Sequence, residues 1–159
     1  MLKLMGSAII LIASALFGAG RYSRYYERKR LLLLLRDGTM QVENSLRCAC
    51  PPLYDCFLSG GEFFEKAALL ISRGQSPEGA VKDVARNLCA LKKSDIALVD
   101  RFAAGLSAED LEGQLKNTAH FCAALEKNIS EAETELNSRG KLVLKGSLLT
   151  ATAVVILLI

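Results

Sequence analysis

Apolar positions in this chain fall into two ends almost free of charge and a patterned middle. From Leu111 onward, apolar residues recur at alternating steps of four and three: Leu111, Leu115, Thr118, Cys122, Leu125, Ile129, Ala132 and Leu136, with Thr118 the one polar interruption. The other faces carry Glu112, Lys116, Glu126, Lys127, Glu131 and Glu135. This is the period of an amphipathic helix that packs against other helices. The Ser-x-x-Asp of Ser107–Asp110 reads as its N-terminal signal, with Ser107 as cap. Past Arg139, Lys141 and Lys145 the pattern gives way to Leu148–Ile159, which holds no charge.

The N-terminal end is similar. Leu2–Gly20 is apolar apart from Lys3, Ser7 and Ser14, and Leu142–Ile159 carries only Lys145. Either run, at about 1.5 Å per helical residue, reaches roughly 27 Å, close to the ~30 Å of a bilayer core. A cleaved signal peptide ending at Gly18-Ala19-Gly20 is the competing reading of the first run. Arg21, Arg24, Arg28, Lys29 and Arg30 follow at once, and such clusters stay cytoplasmic, which favours an uncleaved anchor. Tyr22, Tyr25 and Tyr26 sit where amphipathic rings favour the headgroup layer. Basic residues Arg139, Lys141 and Lys145 flank the second run on its domain side, so both anchors predict a cytoplasmic body with both termini outside.

Between the ends, the spacing predicts one long helix to about Arg47, stopped by Pro51-Pro52. Leu31–Leu35 would encircle that helix, implying burial on most sides. A short helix Pro52–Leu58 and the Ser59-Gly60-Gly61 break come next. Glu62–Arg73 is then helical, with Phe63, Phe64, Ala67, Leu70 and Ile71 inward and Gly74 at the C-cap. Ser76-Pro77-Glu78 opens a helix with apolar face Val81, Val84, Ala85 and Leu88. After the polar link Lys92-Lys93-Ser94-Asp95, Ile96, Leu98, Val99, Phe102 and Ala103 form another, ending at Gly105. No strand is predicted. The expected fold is all-α: an antiparallel bundle of about six helices over 21–141, between transmembrane helices at 1–20 and 142–159.

Charge refines this picture. The net +3 conceals eleven basic against sixteen acidic residues from Leu31 to Ser138, a net of −5. A mildly acidic body with basic ends suits a membrane surface and excludes nucleic acid as a partner. Five cysteines, Cys48, Cys50, Cys56, Cys89 and Cys122, lack the regularity of a disulfide framework and fit a reducing compartment. With His120 they could be assembled into a zinc site, but Cys-x-Cys-x5-Cys lacks the usual paired spacing, so they are read as core thiols and no metal is expected. There is no phosphate loop, His-Glu-x-x-His or Gly-x-Ser-x-Gly. Acids such as Glu133 and Glu135 lie on a solvated helix. The chain therefore reads as a non-enzyme without a cofactor.

Layout and scattered residues together resemble the stage III sporulation protein AB family. Met1-Leu2-Lys3-Leu4 ahead of a single membrane helix is similar to the family's start, as is the basic helix leading to Glu43 and then Pro52-Leu53. Phe64–Gly74 and Ser76–Ala80 resemble a second block; Gly105-Leu106, Asp110 and Gln114 look like the entry to the last helix. Cys48-x-Cys50 before the prolines departs from the pattern. The resemblance implies membership of the complex spanning the membranes between mother cell and forespore, needed for forespore development after engulfment. It also implies a soluble part similar to the cytoplasmic helical domains of type II secretion and type IV pilus platform proteins. By that analogy the protein sits in the mother-cell membrane around the forespore, contacts membrane lipids and other sporulation channel proteins, and docks a cytoplasmic secretion-type ATPase. The alternative is a membrane-anchored adaptor that forms homo-oligomers through the Leu111–Leu136 seam and is unrelated to secretion-like assemblies.

Overall fold

The structure is a computed structural model and describes residues 2–49, 52–106 and 110–158. All regular elements among them are helical: α1 (Leu2–Ala49), α2 (Leu53–Leu58), α3 (Gly61–Ser72), α4 (Pro77–Arg86), α5 (Lys93–Gly105) and α6 (Leu111–Glu135). A π-helical turn, Leu136–Gly140, joins α6 to α7 (Lys141–Leu158) without a break in the helical path. Among the described residues, no helix is long and apolar enough to cross a membrane.

The chain divides into two compact units, Arg30–Ser130 and the paired ends Met1–Lys29 with Glu131–Ile159. These divisions fall inside the limits 21 and 141 expected from hydropathy, because the terminal helices keep pairing well past their apolar runs.

In the central unit the core is a line of phenylalanines. Phe57 of α2 lies 5.1 Å from Phe64 of α3, Phe64 lies 6.3 Å from Phe102 of α5, and Phe102 stacks on Phe121 of α6 at 4.2 Å. Leu32, Leu35, Val42, Val81, Val99 and Leu125 complete it, all buried. Burial of each such side chain contributes on the order of 1.5–3 kcal/mol. Leucines 31–35 are not buried on most sides as expected: Leu32 and Leu35 face the core, Leu31 and Leu33 are half-buried, and Leu34 is 47% exposed. Only one face of α1 meets the bundle, so a five-residue apolar run must leave one member outward.

Helix boundaries follow local chemistry. Ser76 Oγ accepts from Gly79 N at 3.2 Å with Pro77 at the first helical position, as the sequence predicts. Gly74 takes φ +92° after α3, and Gly61 takes φ +77° as α3 begins. At Gly38, a Cβ would meet the Gly60 carbonyl oxygen at 2.2 Å. Glycine there lets α1 lie directly on the turn before α3. Asp110 caps α6: its Oδ2 accepts from Gly113 N at 2.9 Å. A carboxylate immediately before the first helical residue reaches that amide directly. Ser107 lies outside the described residues, as do Cys50 and Pro51.

The expected seam of α6 is largely the buried face: Thr118, Leu125 and Ile129 are buried, as are Ala132 and Leu136. Its start is displaced, since Leu111 is exposed and Phe121, beside Cys122, takes the inward position. Thr118 is accommodated because its Oγ1 donates to the Gln114 carbonyl at 2.7 Å.

Candidate functional site

Three places in the fold concentrate residues with something other than packing to do. The first is the corner between α5 and α6. Phe102 O, near the end of α5, accepts from Asn117 Nδ2 of α6 at 2.9 Å. Gly105 faces the same amide group, and a Cβ there would approach Asn117 to 2.5 Å. Leu106 is buried at the cap of α5, Asp110 caps α6, and Gln114 N bonds to the Asp110 carbonyl. Gly105, Leu106, Asp110 and Gln114, singled out in the sequence, therefore meet at one corner. Asn117 is the member that sequence reading missed. Glu43, Pro52 and Leu53 lie elsewhere: Glu43 accepts from Arg47 one turn on, Pro52 O accepts from Asp55 N and Cys56 N, and Leu53 begins α2.

Deeper along the same helix pair, Asp95 is almost fully buried. Its Oδ2 accepts from Lys92 N at 3.0 Å and its Oδ1 from Asn128 Nδ2 at 2.9 Å. A carboxylate expected on a polar link is thus an internal tie between the start of α5 and the middle of α6.

The second place is an apolar hollow of about 140 Å³ on α1, α3 and α4, lined among others by Leu31, Leu34, Phe63, Val84 and Leu88. Asp37, Glu62 and Lys66 stand at its polar edge. Lys66 bonds to Glu62 and, with its charge, holds that carboxyl below the usual range. Leu69, 55% exposed, borders the adjoining hollow.

The third is the terminal pair. Ser14 Oγ donates to the Ser147 carbonyl at 2.6 Å, Gly140 faces the ring of Tyr22, Arg28 pairs with Glu135 at 2.8 Å, and Lys29 pairs with Glu133 at 2.8 Å. As one residue number rises the other falls, so the first 29 residues and the chain from 131 onward run antiparallel in a fixed register. Of the eight basic residues flanking the ends, Arg28 is only 2% exposed and Lys29 is held by Glu133. Arg21, Arg24, Arg139, Lys141 and Lys145 are exposed. Exposed Leu16, Phe17, Leu142 and Leu149 lie next to them.

The cysteines are dispersed: Cys48 and Cys89 are exposed, Cys56 is buried and Cys122 half-buried. Among the described residues, no three His, Cys, Asp or Glu side chains converge on a point that could hold a metal ion. Burial pushes the Cys122 thiol up to about 11, with Glu43 and Glu126 adding to the effect.

A sequence profile for the family described as stage III sporulation protein AB matches residues 3–159. The chain belongs to that family. Membership of the stage III sporulation protein AB family gives it a role in sporulation. A solved structure described as stage III sporulation protein AB (SpoIIIAB) has the same fold, with a TM-score of 0.61 at 20% identity, over 69% of this chain and 96% of that one. No curated protein matches the chain.

Proposed function

We propose that this sporulation protein is a non-enzymatic platform, held in the mother-cell membrane around the forespore by its paired ends and docking a cytoplasmic secretion-type ATPase through its helical unit. The observation that carries the anchoring is the exposure of large apolar side chains on both paired helices. Leu16 and Phe17 on one, and Leu142, Leu149 and Ile156 on the other, are each more than 60% exposed. Apolar surface on both members of a helix pair is costly in water and natural in lipid. In sequence, Leu2–Gly20 and Leu142–Ile159 each hold a single charge, Lys3 and Lys145.

The docking face is assigned to the α1–α3–α4 hollow. Leu34 is exposed there and Leu69 at the adjoining hollow, both beside charged neighbours, the composition of a small protein-binding patch. The ATPase as partner rests on the family's likeness to secretion platforms.

The test is an affinity pull-down of tagged full-length protein from sporulating cells, solubilised gently just after engulfment. The reading expects a secretion-type ATPase and other sporulation membrane proteins with the wild type, and at least tenfold less ATPase with Leu34→Glu or Leu69→Glu. Recovery of the bait alone from cells rich in those proteins refutes the platform and favours self-association.

A further inference from the structure

The paired ends do not present their basic residues equally, and the difference points to a ligand. The contacts from Ser14–Ser147 to Arg28–Glu135 set the register, which brings residues 17–24 of α1 level with residues 138–145. Over those two segments the sequence has five basic residues, Arg21, Arg24, Arg139, Lys141 and Lys145, and no acidic one. Toward the middle of the chain, acids begin at once with Glu27, Glu131, Glu133 and Glu135, and there the basic residues Arg28 and Lys29 are consumed in ion pairs. Arg24, Arg139, Lys141 and Lys145 make no ion pair among the described residues, while Arg21 lies over the Phe17 ring at 5.5 Å. The five form a belt of positive charge one or two turns deep.

Next to the belt, on the side of the chain ends, lies exposed apolar surface. One recess joins the two kinds of surface: Leu16, Phe17 and Gly20 line it together with Arg21 and Arg24, in a volume of about 390 Å³. The space over Gly20 is open, with no other atom within 4 Å of where a Cβ would stand. A molecule matching this recess carries an anionic head against an apolar chain.

We propose that the five-residue belt selects anionic phospholipid headgroups over zwitterionic ones, with the Leu16–Arg24 recess as its most specific part. This rests on the membrane-anchored reading of the paired ends. Guanidinium groups bind phosphate by paired N–H donors and ammonium groups by charge, and basic residues at a membrane surface each add to anionic-lipid affinity. Selectivity resides in the belt alone, because Arg28 and Lys29 are already neutralised within the protein.

The experiment reconstitutes the full chain into phosphatidylcholine bilayers containing trace spin-labelled phosphatidylglycerol or spin-labelled phosphatidylcholine. Electron paramagnetic resonance measures the fraction of each label immobilised at the protein. Expected for the wild type is immobilised lipid of both kinds, with phosphatidylglycerol preferred about three- to tenfold at low salt and less at about 0.5 M salt, where exposed charges are screened. Replacing all five residues by glutamine should bring the ratio to about one, whereas the paired change Lys29→Gln with Glu133→Gln should leave it unchanged. Should the fivefold variant fail to reconstitute, the two halves, Arg21→Gln with Arg24→Gln, and Arg139→Gln with Lys141→Gln and Lys145→Gln, should each lower the ratio part-way. Immobilised lipid without preference in the wild type, or preference surviving in these variants, overturns the belt and leaves anchoring intact. No immobilised lipid of either kind overturns the anchoring, and the belt with it.

Discussion

Gly105 has no side chain to interact, yet it fixes how α5 meets α6. With the Asn117 amide 2.5 Å from where a Cβ would stand, Gly105→Ala must displace the donor to the Phe102 carbonyl. The expected cost is about 1–3 kcal/mol of unfolding free energy, read by denaturant titration in detergent. The cysteines give a second test at this scale. At pH 8 a thiol titrating near 11 is about one part in a thousand thiolate, so peptide-resolved alkylation should modify exposed Cys48 and Cys89 at least tenfold faster than Cys122. The linkage has a definite sign. Folding favours the protonated thiol, so its contribution is full below the ordinary value of 9.0 and fades as pH climbs from there toward 11.

At the scale of elements, the helices were legible because caps and breakers are local. Ser76-Pro77, Gly74 and the end of α5 at Gly105 are all signalled within a few residues. What stayed hidden depends on partners far along the chain. Asp95 reads as a polar link until Asn128, on another helix, is seen to donate to it, and Phe121 displaces Cys122 from the seam because Phe102 offers a ring to stack on. Leu34 likewise looks like its four neighbours until the side facing the bundle is known. At the candidate sites, the residues of the α5–α6 corner could be picked out, but their meeting place could not. Asn128→Ala should cost about 1–3 kcal/mol, since it strips a donor from a buried carboxylate. Asn128→Asp, which sets two carboxylates face to face, should cost more at pH 7 and recover as the pH falls toward 4.

For the molecule as a whole, the antiparallel register of the ends can be checked directly. In a chain freed of its native cysteines, Ser14→Cys with Ser147→Cys should cross-link under mild oxidation, whereas Ser14→Cys with Ser138→Cys should not, nine residues being over two helical turns. The π-helical turn Leu136–Gly140 lies within this pair, with Gly140 against the Tyr22 ring. A wider turn holds one residue more than an α-helical one, so it absorbs an extra residue without turning the helix that follows. Removing a single residue from 136–140 would convert it to an ordinary turn of nearly the same sweep, whereas removing one from the regular turns of α6 would rotate everything after it by about 100° about the helix axis. With the deletion at 136–140, Lys141 and Lys145 would keep their azimuth, and Ser147 would stay on the side of Ser14. A one-residue deletion here is therefore absorbed, and the facing of the last helix tolerates a change of length at that turn alone.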